Sequence, residues 1–324
     1  MERVSGVKTA LVLGAGGFIG SHLVKKLKEE GFWVRGADLK QPDFWESFAD
    51  EFLIADLRNS QQVDWLFDRQ FDEVYQLAAD MGGIGYISHG HDAEIMTNSV
   101  FINLNVLLAS KRVGVHGVFY SSSACIYPEY NQTNPEDFTC EESTAYPADP
   151  DTEYGWEKLF SERLYIAYNK DYGMKNKVAR YHNIFGPYGT WDGGKEKAPA
   201  AICRKVAQAT DTIDVWGDGN QLRSFLYIDE CVKATIAFYR ETSNFDPINI
   251  GSEKTVSIND LVDIVEHVAQ KSLKINYVKG PTGVKARTSH NDQIKRVLGW
   301  APDENLIAGL EKTYNWISEQ VNVK

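Results

Sequence analysis

The segment Gly14-Ala15-Gly16-Gly17-Phe18-Ile19-Gly20 constrains the fold more than any other stretch. It follows an apolar run over 9–13 and opens a stretch, 21–30, in which Leu23 and Leu27 fall four apart on one helical face. A strand that runs through glycines straight into a helix must turn sharply, and glycine tolerates the backbone angles such a turn demands. The helix then offers free N–H groups and the positive end of its dipole, so the turn suits a phosphate brought close to bare backbone. Gly14, Gly17 and Gly20 carry the spacing G-x-x-G-x-x-G, which differs from the commonest dinucleotide-binding pattern. Phe18 and Ile19 belong to the same cofactor-binding turn.

The next 100 residues repeat the alternation of strand and helix. Apolar runs over 33–37, 52–55, 73–77 and 117–120 end at Asp38, Asp56, Ala78 and Ser121, and a long helix is expected over 93–112. Such βαβ units predict a doubly wound parallel sheet covered on both faces. Asp38 stands 18 residues after Gly20, where a carboxylate accepts hydrogen bonds from the adenosine ribose hydroxyls. The same charge repels a 2′-phosphate, which favours NAD over NADP. Asp56, with Arg58 close by, is placed at the adenine edge.

Beyond residue 180 the texture changes. Gly186, Pro187, Gly189, Gly193, Gly194 and Pro199 mark a long loop, followed by a helix over 198–209, a strand near 213–216 and a mixed α/β tail. The expected division is a nucleotide-binding domain over 1–180 and a smaller substrate lobe over 181–324, with crossings back near 225–251. A length of 324 residues, 43% of them apolar, fits two modest domains. The net charge of −11 disfavours a nucleic-acid partner. No uncharged apolar run approaches the roughly 18 residues of a membrane span, and the polar first eight residues do not read as a signal peptide. Cys125, Cys140, Cys203 and Cys231 show neither a CxxC pair nor metal-ligand spacing, so free thiols in a reducing cytoplasm and no metal are expected.

Tyr154 and Lys158 are four apart and share a helical face. An ammonium beside a phenol lowers the phenol's pKa from its reference of about 10, which makes Tyr154 a usable base toward a sugar hydroxyl. The pair follows the serine-rich strand end Ser121-Ser122-Ser123-Ala124-Cys125-Ile126-Tyr127-Pro128. Ser123 and Cys125 are expected on one side of an extended segment.

Glycine turn, serine strand end and Tyr154/Lys158, in this order, resemble the extended short-chain dehydrogenase/reductases acting on nucleotide sugars. Leu77-Ala78-Ala79, His182-Asn183, Gly186-Pro187, Gly217-Asp218-Gly219 and Arg223-Ser224-Phe225 extend the resemblance over nearly the whole chain. Longer segments around Gly82-Gly83, Cys125-Ile126-Tyr127-Pro128-Glu129, Glu196-Lys197-Ala198-Pro199-Ala200 and Gly283 to Arg287 are similar to the members that epimerise a GDP-hexose.

This resemblance implies a Rossmann sheet of the extended type, NAD as cofactor, and a homodimer packed through helices near 93–112 and 153–171. It implies inversion of C3 and/or C5 of GDP-mannose through a transient 4-ketone, which acidifies both neighbouring carbons. Tyr154 would take the 4-hydroxyl proton, with Lys158 holding the nicotinamide ribose and Ser123 the sugar oxygen. Cys125 and Lys197 would be the opposed base and acid, with Lys195 the rival for the acid. Leu77, Ala78 and Ala79 would line the cofactor. Gly82, Ala124, Asn183, Glu196, Ala198 and Gln221 would meet the substrate, and Lys205, Arg223 and Arg287 its diphosphate. His182 and Trp216 read as structural.

Two alternatives stand beside this reading. The first is another nucleotide-sugar enzyme of the family: a GDP-4-keto-6-deoxymannose epimerase-reductase would use a histidine after the Gly-Pro pair, where this chain has Tyr188, a dehydratase would carry an acidic pair near Cys125, which is missing here, and a 4-epimerase would need no opposed acid and base. A non-catalytic NAD-binding regulator would be expected to have lost Tyr154 or Lys158, and both are present.

Overall fold

The computed structural model describes residues 6–87, 90–302 and 305–323, apart from the side chains of Ile84 and Gly85; residues 1–5 of the polar N-terminal stretch lie outside it. The strands are β1 (Thr9–Leu13), β2 (Trp33–Asp38), β3 (Glu51–Ile54), β4 (Glu73–Gln76), β5 (Phe119–Ser123), β6 (Lys177–Tyr181), β7 (Ile184–Phe185), β8 (Thr212–Trp216), β9 (Leu222–Ser224), β10 (Leu226–Tyr227), β11 (Ile248–Ile250), β12 (Thr255–Ser257), β13 (Lys274–Val278) and β14 (Ala286–Arg287). The helices are α1 (Phe18–Glu29), α2 (Ser60–Leu66), α3 (Ile84–Ile87), α4 (Asp92–Val113), α5 (Glu153–Tyr172), α6 (Ala198–Gln208), α7 (Ile228–Glu241), α8 (Ile258–Ala269), α9 (Asp292–Leu298) and α10 (Leu306–Val323).

Seven strands form one sheet in the order β11-β6-β5-β4-β1-β2-β3, parallel at every pairing. Ala10 and Val12 of β1 face one core with Leu23 and Leu27 of α1. Leu11 and Leu13 face the other, with Val63 of α2, Val106 of α4 and Tyr165 of α5. Successive strand residues point to opposite faces, and both faces are covered, so the run is apolar throughout. Full burial of each such Leu or Val contributes about 1.5–3 kcal/mol.

From β1 the chain builds outward to β2 and β3, then returns to β4 on the other side and builds outward again. The reversal between β1 and β4 leaves a crevice at their C-terminal ends, where ligands of such sheets bind. Later segments rejoin this sheet: β11 pairs with β6, and α7 packs on α1. The other late elements pair among themselves, β8 with β13, and β9 with β12 and β14; α6 packs on α8 and α10. No helix among the described residues is long and apolar enough to cross a membrane.

The strand ends depart from the sequence expectation in one informative place. β5 continues to Ser123 rather than stopping at 120, because Ser121, Ser122 and Ser123 pair with Ala179, Arg180 and Tyr181 of β6. A central partner strand overrides the weak strand preference of serine.

Candidate active site

Two clefts lie side by side along the strand ends. The first, of about 530 Å³, is lined by Gly14, Gly17, Phe18, Ile19, Gly20, Asp38, Asp56, Leu77, Ala78 and Ala79. Gly14 has φ +85°, and a Cβ there would stand 2.7 Å from the Ala78 nitrogen; one on Gly20 would stand 2.0 Å from the Gly14 carbonyl oxygen. Those two glycines are required by the protein's own packing. Gly17 differs: a Cβ there would meet only the Gly14 carbonyl oxygen, at 3.3 Å, and the residue lines the cleft. It is also the N-cap of α1 and caps with no side chain, so the first amides of the helix are left for a ligand.

Asp38 ends β2 and accepts from the Gly16 amide at 3.0 Å and the Leu39 amide at 2.7 Å. Burial pushes its carboxyl up, and these two amides counter the push. The acid therefore braces the glycine turn as well as facing the cleft, a second role the spacing did not reveal. Asp56 lies two residues past β3, forked by the Arg58 guanidinium at 2.7 to 3.1 Å, which holds its carboxyl below the usual range. A bare glycine turn, an uncapped helix and an acid at the end of β2 fit a dinucleotide with a free 2′-hydroxyl. Gly14, Gly17, Gly20, Asp38 and the 77–79 backbone would hold it.

The second cleft, of about 330 Å³, is lined by Gly82, Ser123, Ala124, Cys125, Tyr154, Asn183, Glu196, Lys197, Ala198, Lys205, Gln221, Arg223 and Arg287. Met81, Gly82, Tyr181, Ile184, Lys197 and Pro199 line both clefts, so the two meet there.

Thr152 caps α5 by accepting from the Gly155 amide at 3.3 Å, which starts the helix just before Tyr154. Tyr154 is buried and lines the second cleft; Lys158 lines neither cleft. Its ammonium donates to the Ser121 carbonyl oxygen at 2.9 Å and lies 5.8 Å from the centre of the Tyr154 ring. The expected lowering of the Tyr154 pKa is not what the pair shows. Burial pushes the phenol well above 10, with the Cys125 sulfur adding to the rise, and burial pushes Lys158 down. Desolvation disfavours the charged form of each and is the largest cause of both shifts.

Ser123 is the last residue of β5, and its hydroxyl accepts from the Cys125 amide at 3.2 Å. That bond caps a 3-10 turn over Ala124–Ile126, so Cys125 sits on a turn and not on the expected extended segment. Cys125 is half-buried, and Arg287 Nη1 donates to its Sγ at 3.2 Å.

Lys197 is the N-cap of α6. Its exposed surface faces the junction of the two clefts, with protein crowding it elsewhere, so burial lowers its pKa. Lys195 lines only the first cleft, with its ammonium 3.9 Å from the centre of the Tyr86 ring. The two lysines, indistinguishable in the sequence, thus occupy different places.

At the far end of the second cleft, Arg223 donates to the carbonyl oxygens of Leu222, Thr282 and Val284 at 2.6 to 3.0 Å. Burial and the nearby Arg287 charge lower its pKa to about 10. Its hydrogen bonds go to neutral carbonyls, so its charge is left for an anion. Lys205 donates to the Asp214 carbonyl oxygen at 2.7 Å, and the buried Gln221 Oε1 has no hydrogen-bond partner among the described residues. Asn183, at φ +45°, donates to the Ser224 carbonyl oxygen at 2.9 Å.

Three expected substrate residues line the second cleft and also have partners within the protein. The Glu196 carboxylate is taken by Arg204 at 2.8 Å and the Gly194 amide at 2.7 Å. At Gly82 a Cβ would stand 2.7 Å from Tyr86 Cβ, so the missing side chain serves local packing. Arg287 turns to Cys125 and to Gln132, with its Nη2 3.6 Å from Asp151. Gln132 and Asp151 carried no sequence signal, because neither lies at a strand end or in a spaced motif. His182 is buried and neutral, its pKa lowered to about 3 by burial.

The chain matches the model of the NAD dependent epimerase/dehydratase family over residues 10–251. The GDP-mannose 3,5-epimerase of Arabidopsis thaliana is 45% identical over 313 residues, 96% of this chain and 82% of that protein. The structure of UDP-glucose 4-epimerase from Thermotoga maritima superposes with a TM-score of 0.87 at 24% identity, covering 97% of this chain and 99% of that one. UDP-glucuronic acid 4-epimerase from Bacillus cereus, solved with UDP-glucuronic acid and NAD, gives 0.79 at 28% identity over 96% and 99%. The extended-type Rossmann sheet, the glycine turn and the family match agree, and the chain belongs to the NAD dependent epimerase/dehydratase family, in which it is an NAD-using epimerase.

Proposed function

We propose that the substrate is GDP-mannose and that the protein inverts C3 and/or C5 through a transient 4-ketone. The observation that carries this reading is the shared wall of the two clefts: Lys197 stands at their junction, and Cys125, Ser123 and Tyr154 line the second cleft with it. The relative 45% identical to this chain is named for that reaction.

NAD, when bound, would supply a hydride acceptor that can give the hydride back. Tyr154 takes the proton of the sugar 4-hydroxyl and later returns it, while Ser123 holds that oxygen. A carbonyl at C4 acidifies the C–H bonds at C3 and C5. Cys125 removes a proton from one ring face, and Lys197 delivers one to the other; burial lowers the lysine's pKa toward the range useful for an acid. Arg223, Lys205 and the uncapped N-terminus of α6 neutralise the diphosphate.

The division into a cofactor domain over 1–180 and a substrate lobe over 181–324 is supported by the late elements that pair among themselves, β8 with β13 and β9 with β12 and β14, with α6 packed on α8 and α10. The homodimer reading is supported by Phe101 and Leu108 of α4 and Trp156 and Phe160 of α5, large apolar side chains exposed on adjacent helices. Four free cysteines support a cytoplasmic location.

The test is incubation with GDP-mannose in deuterated water and NMR of the recovered sugar. Deuterium at C3 or C5 and none at C4 is expected. Cys125→Ala should abolish labelling with NAD still bound, and persistent labelling would remove Cys125 from the role of base.

A further inference from the structure

Cys125 faces several charged or ionisable groups from different elements. Arg287 of β14, Arg223 of β9, Lys197 at the start of α6 and Lys158 of α5 are the cations; Tyr154 of α5 and Cys140 are the weak acids. Among the described residues only Arg287 donates a hydrogen bond to the sulfur. Asp151 stays 3.6 Å from Arg287 Nη2 and makes no hydrogen bond to it, and among the described residues both the Asp151 Oδ1 and the Arg287 Nη2 atoms are buried without one.

What aims the guanidinium is Gln132. This side chain is fully buried, and its amide nitrogen donates to the carbonyl oxygens of Tyr127 and Pro128 at 3.1 and 3.0 Å. Those two bonds fix which end of the amide is oxygen, and that oxygen accepts from Arg287 Nε. Tyr127 and Pro128 directly follow the turn that carries Cys125. One buried amide therefore ties the arginine to the segment bearing the thiol, and the planar fork of the guanidinium then turns Nη1 toward Sγ.

We propose that Gln132 is a positioning residue that locks Arg287 against Cys125, so that a guanidinium is already in place to pair with the sulfur in its thiolate form. Neutral glutamine suits this task. A carboxylate in its place would bind Nε as well but would draw the guanidinium's charge toward itself and away from the sulfur. A thiolate, not a thiol, accepts protons and attacks electrophiles. The inference rests on the assignment of Cys125 as base, and its test does not use turnover.

The experiment is alkylation of the NAD-bound protein by iodoacetamide across pH, with modification at Cys125 read by peptide mass spectrometry. The wild-type protein sets the reference rate and pH profile for Cys125. Gln132→Leu and Gln132→Glu should each alkylate about tenfold slower at neutral pH and recover at alkaline pH, as expected when an adjacent cation stops favouring the thiolate. Arg287→Met should show the same shift. Thermal melts identify any variant that has not folded; Gln132→Glu, closest in shape, keeps the test decisive if the leucine variant fails. Gln132→Glu alkylating with the wild-type pH profile would overturn the proposal. An unchanged profile in Arg287→Met would likewise overturn it, because the guanidinium would then not be the group that favours the thiolate.

Discussion

The ammonium of Lys158 donates to the backbone carbonyl of Ser121, on the strand that ends at Ser123, while the phenol of Tyr154 lies on the cleft side of the same helix. The lysine is thus anchored to the sheet behind the site. With the phenol pushed well above its ordinary pKa, the phenolate fraction is small at neutral pH and grows about tenfold per pH unit. Turnover by the NAD-bound protein should rise with pH through neutrality. Tyr154→Phe should lower kcat by about 10²–10⁴-fold and flatten this limb, while retaining NAD. Steady-state kinetics across pH, with bound NAD measured on the same samples, check both outcomes.

The two loop lysines make opposite predictions. Lys197 lines both clefts, and Lys195 packs on Tyr86 in the first cleft alone. Lys197→Met should cut deuterium incorporation at C3 and C5 by about 10²-fold or more. Lys195→Met should keep the labelled positions and change the rate by about tenfold at most, the range of a lost cation–π contact. Equal loss in both variants would place the acid elsewhere on the loop.

The sheet and the cofactor cleft were legible because their signals are local. Gly14 needs its positive φ, Asp38 ends a short apolar run, and Tyr154 and Lys158 fall on one turn of helix. The rest depends on pairings between distant segments. Gln132 meets Arg287 across 155 residues, and Arg35, buried in the sheet at β2, is paired by Glu51 and Asp68. The direction of the Tyr154 shift was not legible for a related reason. Residue spacing records which groups are neighbours, while the desolvation that dominates the shift comes from the packed fold.

Acid should destabilise the protein through two buried imidazoles. His182 binds Asn249 through Nε2 at 2.9 Å with its other nitrogen unpartnered, and His22 binds the Pro187 carbonyl oxygen at 3.1 Å. Burial lowers their pKa values to about 3 and about 4. Unfolding restores the ordinary value of about 6.5, so the unfolded chain binds more protons in that window. Their contribution is complete above about pH 6.5 and is lost as pH falls toward 4, with a slope of at most about 1.4 kcal/mol per unit for each histidine. Urea unfolding between those pH values should show a shallower dependence for His182→Gln than for wild type.

Glu162 and Arg180 form a buried ion pair at 2.9 Å beneath β5, and Ser122 donates to the same carboxylate at 2.5 Å. Ser122 lies between the serine that anchors Lys158 and the serine at the cleft, so this pair sets the floor of the site. Glu162→Gln leaves the buried Arg180 charge without its counter-ion, which costs about 3–5 kcal/mol. The double change Glu162→Met with Arg180→Met removes both charges and should recover much of that loss, because neither desolvation cost remains. Denaturant unfolding of wild type, Glu162→Gln and the double variant should show the double variant more stable than the single one. Positions of deuterium labelling should stay unchanged in whatever fraction of each variant is folded, since neither residue lines a cleft.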